Sequence, residues 1–242
     1  MNEIIKSLYE RKSVRAFEER PIPAEMKAAI LRSAVEAPTA GNQQMYTILD
    51  ITDQAIKDIL VTTCDNHPFI AKAPLVLIFC ADCRKWYDAF VEAGCEPRKP
   101  SIGDMVLAVT DTAIAAQNAV VAAESFGIGS CYIGDILENC EKQRELLNLP
   151  DYILPAVMVV FGWPTEQQKS RKKPARVPME HIVHENGYRL MEADELRAMF
   201  AERTASTGFE AWMQAFCKRK YESDFSKEMS RSVAEYLKQY KD

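Results

Sequence analysis

The sequence is short of positive charge. Its 30 Lys and Arg residues stand against 35 Asp and Glu, a formal net charge of −5. Nucleic acid is therefore excluded as the main partner, since its binding rests on neutralised phosphates. Any site for a small anion must be a local basic pocket in an acidic surface. Long unbroken apolar runs are also missing. The stretch from Met105 to Phe126 is interrupted by Asp111, Gln117, Asn118 and Glu124, so it reads as a buried helix and not as a membrane span. Met1 to Lys12 carries charges along its length and lacks the apolar segment of a secretory leader. The seven cysteines are odd in number and scattered, which fits a reducing cytoplasm better than a disulfide framework. No repeat or low-complexity segment is present. His181 and His184 have no further ligands near them in sequence, so a metal is not expected.

What the chain does have is enough apolar material, 48% of its 242 residues, for one large domain or a domain with an extension. The most informative stretch is Arg11-Lys12-Ser13-Val14-Arg15, followed by Ala16-Phe17. If extended, it places Arg11, Ser13 and Arg15 on one face and Lys12 and Val14 on the other. Two guanidinium forks and a hydroxyl suit a phosphate or another planar anion. The same residues read equally well as a basic cap on the carboxyl end of the preceding helix, Asn2 to Glu10.

Further along, Met26, Ile30, Leu31 and Ala34 form an amphipathic stripe that Pro38 stops. The loop Pro38-Thr39-Ala40-Gly41-Asn42-Gln43-Gln44 offers small residues and amides to a flat ligand, or is an ordinary turn into a strand from Tyr46 to Ile51. Cys64 to Pro74 reads as a loop, and Leu75 to Cys80 as a buried strand. Cys80-Ala81-Asp82-Cys83 has redox-motif spacing but straddles a strand end, so a working dithiol is not expected. Trp86, Tyr87 and Phe90 on a short helix roof a pocket or join the core. The apolar, alanine-rich helix to Phe126 reads as central. Gly127-Ile128-Gly129-Ser130-Cys131-Tyr132-Ile133-Gly134 allows a tight turn and close backbone approach. With no strand before it, it is not a dinucleotide fingerprint. A helix from Glu138 to Leu147, a strand from Ile153 to Phe161 and a charged loop from Thr165 to Pro178 follow; from Glu192 on the chain reads as helix.

In this order the motifs Arg-x-Ser-x-Arg-x-Phe, Ala-Pro-Thr-Ala-Gly-Asn-x-Gln, Gly-x-Gly-Ser-Cys-Tyr-Ile-Gly and Gly-Trp-Pro with a Lys/Arg-Pro loop ending His-Glu-Asn-x-Tyr resemble the nitroreductase family of FMN-dependent NAD(P)H oxidoreductases. The resemblance covers about residues 1–190, which it makes the FMN-binding domain, with 191–242 a helical C-terminal extension. It implies an α+β fold with a central, mostly antiparallel sheet flanked by helices. It also implies a cytoplasmic homodimer with flavin at the subunit interface, NADH or NADPH as donor and a small-molecule acceptor such as a nitroaromatic or quinone. No membrane partner and no catalytic side chain are implied.

Carried over by motif, Arg11, Lys12 and Ser13 hold the phosphate end of FMN, with Arg15 at the pyrimidine edge of the flavin. Pro38, Thr39, Asn42 and Gln44 line the ring, in part on the partner subunit's flavin. Tyr132, Ile133 and Gly134 cover it near N5, and Lys173 and Arg176 return to the phosphate. His67, Trp86 and Tyr87 are the substrate-side candidates. Lys173-Pro174-Ala175-Arg176 carries one residue more than the family's usual Lys-Pro-Arg, which unsettles the register of Lys172 and Lys173. The tail is expected to help hold the dimer or else to fold back on its own subunit. A non-catalytic flavin-binding or redox-responsive protein, or another reduction such as dehalogenation on the same fold, stands as the alternative.

Overall fold

The computed structural model describes residues 1–241. Helix α1 (Glu3–Glu10) opens where Asn2 Oδ1 accepts the Ile5 N–H at 2.9 Å. An extended segment leads to α2 (Ala24–Val35), which begins directly after Pro23. Next come β1 (Tyr46–Asp50), α3 (Gln54–Thr63), α4 (Phe69–Lys72), β2 (Leu75–Asp82) and α5 (Arg84–Glu92). Helix α6 (Ile102–Ser125) begins with a capping box between Ser101 and Asp104 and stops at Gly127, whose φ of 75° a residue with a side chain adopts at a cost. β3 (Gly129–Ile133), α7 (Cys140–Leu147), β4 (Ile153–Gly162) and α8 (Glu166–Ser170) follow, then α9 (Ala193–Met199), α10 (Ala201–Thr204), α11 (Phe209–Lys220) and α12 (Asp224–Leu237).

The strands form one sheet in the order β1-β2-β4-β3, every pair antiparallel. β2 is buried along its whole length because helices cover both faces. Its side chains alternate between two cores. Leu75, Leu77 and Phe79 pack with Ile30 of α2 and Ala115, Ala116 and Ala119 of α6. Val76, Ile78 and Cys80 pack with Leu60 of α3 and Ile70 of α4. A continuous apolar run is what a strand buried on both faces needs, and the alanines of α6 let that helix lie close to the sheet.

Three elements depart from the sequence reading. The loop from Cys64 to Pro74 contains α4, a helix of four residues that is too short to show a period. The stretch Gly127 to Gly134 contains the edge strand β3; only Gly127 serves the turn, while Gly129 begins the strand. The charged loop holds the short helix α8.

By contacts the chain divides into two compact units, Met1–Arg171 together with the chain from Glu228 on, and Lys172–Lys227. In the first unit Tyr236 and Tyr240 are buried with Met45, Ala81, Cys83 and Leu154, so the last stretch of the tail folds back on its own subunit. The returning helix also caps α7. Asn139, at φ 52°, gives no side-chain cap of its own. Glu228 Oε1 accepts its N–H at 3.1 Å, and Ser232 Oγ accepts that of Cys140 at 3.0 Å. Within the second unit, Trp212 stacks on Phe216 and Phe200, with ring centroids 4.8 and 6.2 Å away, and Arg197 donates to Glu210 at 2.6 Å while lying over Phe209.

Candidate functional site

The segment from Arg11 to Phe17 is extended and lies against the β3 edge, as its alternation predicts. Val14 faces inward, 4% exposed, and its N–H donates to the Ser130 carbonyl at 2.9 Å. Two glycines admit this apolar side. A Cβ on Gly129 would sit 2.5 Å from Val14 Cγ2, and one on Gly162 would sit 2.6 Å from the Phe17 ring. Lys12 points away from the Arg11 face. Its ammonium donates to the carbonyls of Lys169 and Arg171 at 2.6 and 2.5 Å, so it ties the segment to the chain beyond β4.

Arg11, Ser13 and Arg15 converge on the buried Cys131. Burial pushes its thiol pKa up, and Arg15, Ser13 and Arg11 each oppose that shift. Arg171 joins them by donating from Nη2 to the Ser13 carbonyl. Around this group several donors are spare. Arg11 Nε and Nη2, Arg171 Nε and Ser130 Oγ are buried without a hydrogen-bond partner. Buried guanidinium donors without acceptors are costly, and a fold that keeps them implies an anionic acceptor there. Arg11 also lies 5.8 Å from the centre of the Tyr132 ring, whose hydroxyl donates to Gln117 Oε1 at 3.1 Å. Burial pushes the Tyr132 phenol up to about 12. Ile133 is buried at the end of β3, and the exposed Gly134 opens the turn Gly134–Leu137.

The loop before β1 is organised by a residue that the motifs did not flag. Asp111, 2% exposed on α6, accepts from the Thr39 hydroxyl, from the Ala40 N–H at 3.0 Å and from the Met45 N–H at 3.3 Å. Thr39 Oγ1 in turn accepts the Gln44 N–H at 2.8 Å, and Gln44 Nε2 donates to the Val35 carbonyl at 3.1 Å. These bonds hold Gly41, Asn42 and Gln44 at positive φ. Thr39 and Gln44 are thus spent within the loop, whereas Pro38, Gly41 and Asn42 are exposed on it.

The substrate-side candidates separate. Trp86 and Tyr87 line a cavity of about 320 Å³ with Met45, Phe90, Pro97 and Arg98, and Trp86 Nε1 donates to the Gln43 carbonyl at 2.6 Å. His67 is not one of its walls. It stands beside Gly134's neighbour, with Nε2 3.5 Å from Asp135 Oδ2. Lys173 and Arg176 lie in the second compact unit. Cys80 and Cys83 are both buried, with thiols pushed up to about 12 chiefly by that burial, which leaves no reactive thiolate at the redox-like spacing. No cluster of three or more His, Cys, Asp or Glu suited to a metal occurs among the described residues.

Ser130 and Asp111 were missed by motif reading, and Arg171, one of the cations of the charged loop from Thr165 to Pro178, was not carried over by motif with Lys173 and Arg176. Arg171 was visible within the basic run after Lys169, and Asp111 as a lone acid in an apolar helix. Ser130 had no sequence signal beyond its place between the glycines.

The sequence profile of the nitroreductase family matches residues 8–163. The chain belongs to the nitroreductase family. An oxygen-insensitive NADPH nitroreductase of Salmonella typhimurium is 34% identical over 206 residues, covering 85% of this chain and 82% of that one. An FMN reductase (NADPH) of Bacillus subtilis is 31% identical over 246 residues, covering 94% and 98%. A nitroreductase structure from Bacillus subtilis superposes with a TM-score of 0.79 at 30% identity, covering 94% of this chain and 98% of that one. The antiparallel sheet flanked by helices is thus the nitroreductase fold, as the resemblance implied.

Proposed function

We propose that this nitroreductase-family protein is an FMN-dependent NAD(P)H oxidoreductase that reduces a nitroaromatic, quinone or similar acceptor by a ping-pong mechanism. The observation that carries the reading is the set of partnerless buried donors on Arg11, Arg171 and Ser130, which fits the phosphate of FMN. When bound, FMN supplies the redox chemistry, taking a hydride from NADH or NADPH and giving it up to the acceptor. The chain's own residues bind and orient. Arg11, Arg171, Ser13 and Ser130 hold the phosphate end. Arg15 brings positive charge to the flavin's pyrimidine edge, where it favours the reduced form. Tyr132, Ile133 and Gly134 line the ring, and Trp86 and Tyr87 line the acceptor cavity.

The protein acts as a homodimer. On one chain the Arg11 group lies by Ser130, level with Leu75, whereas the Thr39–Gln44 loop enters β1 at Tyr46, level with Ala81. Three strand spacings and six residues of strand put these groups roughly 20 Å or more apart. Tyr132, Ile133 and Gly134, which line the ring, stand on the same β3 edge, three strand spacings or roughly 14 Å from β1, so the loop serves the site of a second copy. Exposed Ile4, Leu8 and Tyr9 of α1 and Val106 and Leu107 of α6 offer the apolar surface such a partner covers. Seven free cysteines, five of them buried, suit a reducing cytoplasm.

The test is steady-state oxidation of NADH and NADPH by the purified yellow protein with a quinone as acceptor. Turnover with parallel double-reciprocal lines supports the reading. Flavin binding without turnover with either donor identifies a non-catalytic flavin protein instead.

A further inference from the structure

The cavity lined by Trp86 and Tyr87 shares a wall with the end of the chain. Met45 and Cys83 line the cavity and are also buried in the cluster that holds Tyr236 and Tyr240, with Trp86 packed against it. Tyr152, in the turn into β4, joins the two sides. Its carbonyl accepts the Cys83 N–H at 3.1 Å. Its own N–H donates to Gln239 Oε1 at 2.6 Å. Its ring meets both Tyr87 and Tyr240, with centroids 6.2 and 5.6 Å away, the second contact edge-on.

Tyr152 sits at φ 65°, which a bulky side chain adopts at a cost. Such a conformation persists only where its surroundings over-determine it. Here the restraints are the Gln239 and Cys83 bonds and the two ring contacts. Tyr240 is 2% exposed on the closing turn Lys238–Tyr240. Its hydroxyl lies near the Cys83 thiol but makes no hydrogen bond among the described residues, so what it supplies is the ring. The cavity, at about 320 Å³, stands at the small end of the roughly 300–1,000 Å³ usual for ligand sites. A shift of one wall therefore decides what fits.

We propose that the C-terminal turn determines acceptor size: Gln239 and Tyr240 hold Tyr152, Tyr152 holds Cys83 and Tyr87, and the wall so fixed shuts out acceptors longer by one aromatic ring. The inference rests on the acceptor-cavity reading above. Gln43, from the loop that serves a second copy's site, is a further wall of the cavity. The tail of one chain thus shapes the pocket that meets the other chain's flavin. Tyr152, Gln239 and Tyr240 are positioning residues, since none of them lines the cavity itself.

The test compares two acids that carry the same nitro and carboxylate groups and differ by one ring, 4-nitrobenzoate and 4′-nitrobiphenyl-4-carboxylate. Calorimetric titration of the oxidised, FMN-loaded protein without NAD(P)H reads binding, and turnover with NADH or NADPH reads kcat/KM. In Tyr240→Ala the preference for the longer acid rises about tenfold or more in both readouts, the low end of what one methylene of pocket space is worth. Tyr240→Phe keeps the ring and stays at the wild-type ratio. Gln239→Ala frees the Tyr152 N–H and moves the ratio the same way, which keeps the test open if Tyr240→Ala folds poorly. Unchanged ratios in Tyr240→Ala and Gln239→Ala overturn the proposal. So does an equal loss for both acids, because a merely stabilising tail lowers both alike, and so does a Tyr240→Phe ratio as high as that of Tyr240→Ala. Absence of turnover with either donor in every form overturns the oxidoreductase reading, while the calorimetric ratio separately decides whether the tail sets the wall.

Discussion

Removing the Asp111 carboxylate should collapse the loop that precedes β1. The carboxylate accepts from three donors, the Thr39 hydroxyl and the Ala40 and Met45 N–H groups, at a position 2% exposed. Each donor left without an acceptor in such a place costs about 1–3 kcal/mol. Water reaches part of this loop, since Gly41 and Asn42 are exposed. The total for Asp111→Ala is therefore about 3 kcal/mol and not the full sum of three stranded donors. The loop also stores conformational strain in the positive φ of Gln44, which the Thr39 hydroxyl and the Val35 carbonyl restrain. Freed from Asp111, Thr39 no longer presents its oxygen, so the strain is released by unwinding. Urea unfolding measures the global loss, and amide hydrogen exchange at Ala40 and Met45 measures the local one. A loss under about 1 kcal/mol, with both amides still protected, would refute the claim that Asp111 organises the loop.

Three further outcomes follow from the packing and the charges. Gly129→Ala places a Cβ 2.5 Å from Val14 Cγ2 and 2.9 Å from Val14 Cβ and should cost about 1–3 kcal/mol in thermal unfolding, with Val14→Ala restoring only part of it because its Cβ remains; a single mutant of wild-type stability would remove the close approach from the account. Tyr236→Ala opens a hole among Met45, Ala81, Cys83 and Leu154 and should cost about 3–5 kcal/mol, measured by chemical denaturation; an effect under 1 kcal/mol would mean that the tail is not part of the first unit's core. Glu138, raised from 4.5 to about 7, binds its proton more tightly when folded, so its contribution to stability is full below the unfolded pKa, is lost as pH rises from about 4.5 to 7, and is flat above. Subtracting the Glu138→Gln stability curve from the wild type should expose that slope, at most about 1.4 kcal/mol per pH unit; parallel curves would contradict it.

The legible parts of the fold were those with a long or repeated pattern. The continuous run Leu75–Asp82 is buried on both faces, as its lack of alternation requires, and the apolar helix to Ser125 is central, as its composition requires. Alternation alone separated Arg11, Ser13 and Arg15 from Lys12 and Val14, and the structure separates them in the same way. Short elements were hidden. Helix α4 has four residues and no period, and β3 was masked by the glycines on either side of its Ser-Cys-Tyr-Ile core. The partners of Asp111 were unreadable because Thr39 and Met45 lie 72 and 66 residues away, and nothing local records that pairing. The buried carboxyl pair Asp135 and Glu138 was passed over for a related reason. Their chemistry comes from burial beside Asp65 and Glu228, which sequence spacing does not show.

The central claim is that the spare donors of Arg11, with Arg171 and Ser130, hold the phosphate of FMN. The most direct measurement is FMN titration of wild-type protein and Arg11→Ala stripped of cofactor, after the cofactor released from the wild type has been identified by mass. The account predicts a yellow wild type that releases FMN. It also predicts a variant bound about ten- to a hundredfold more weakly, the loss of one charge-assisted bond worth roughly 1.5–3 kcal/mol. A wild type that neither carries nor takes up FMN, or an Arg11→Ala protein with unchanged affinity, would contradict it.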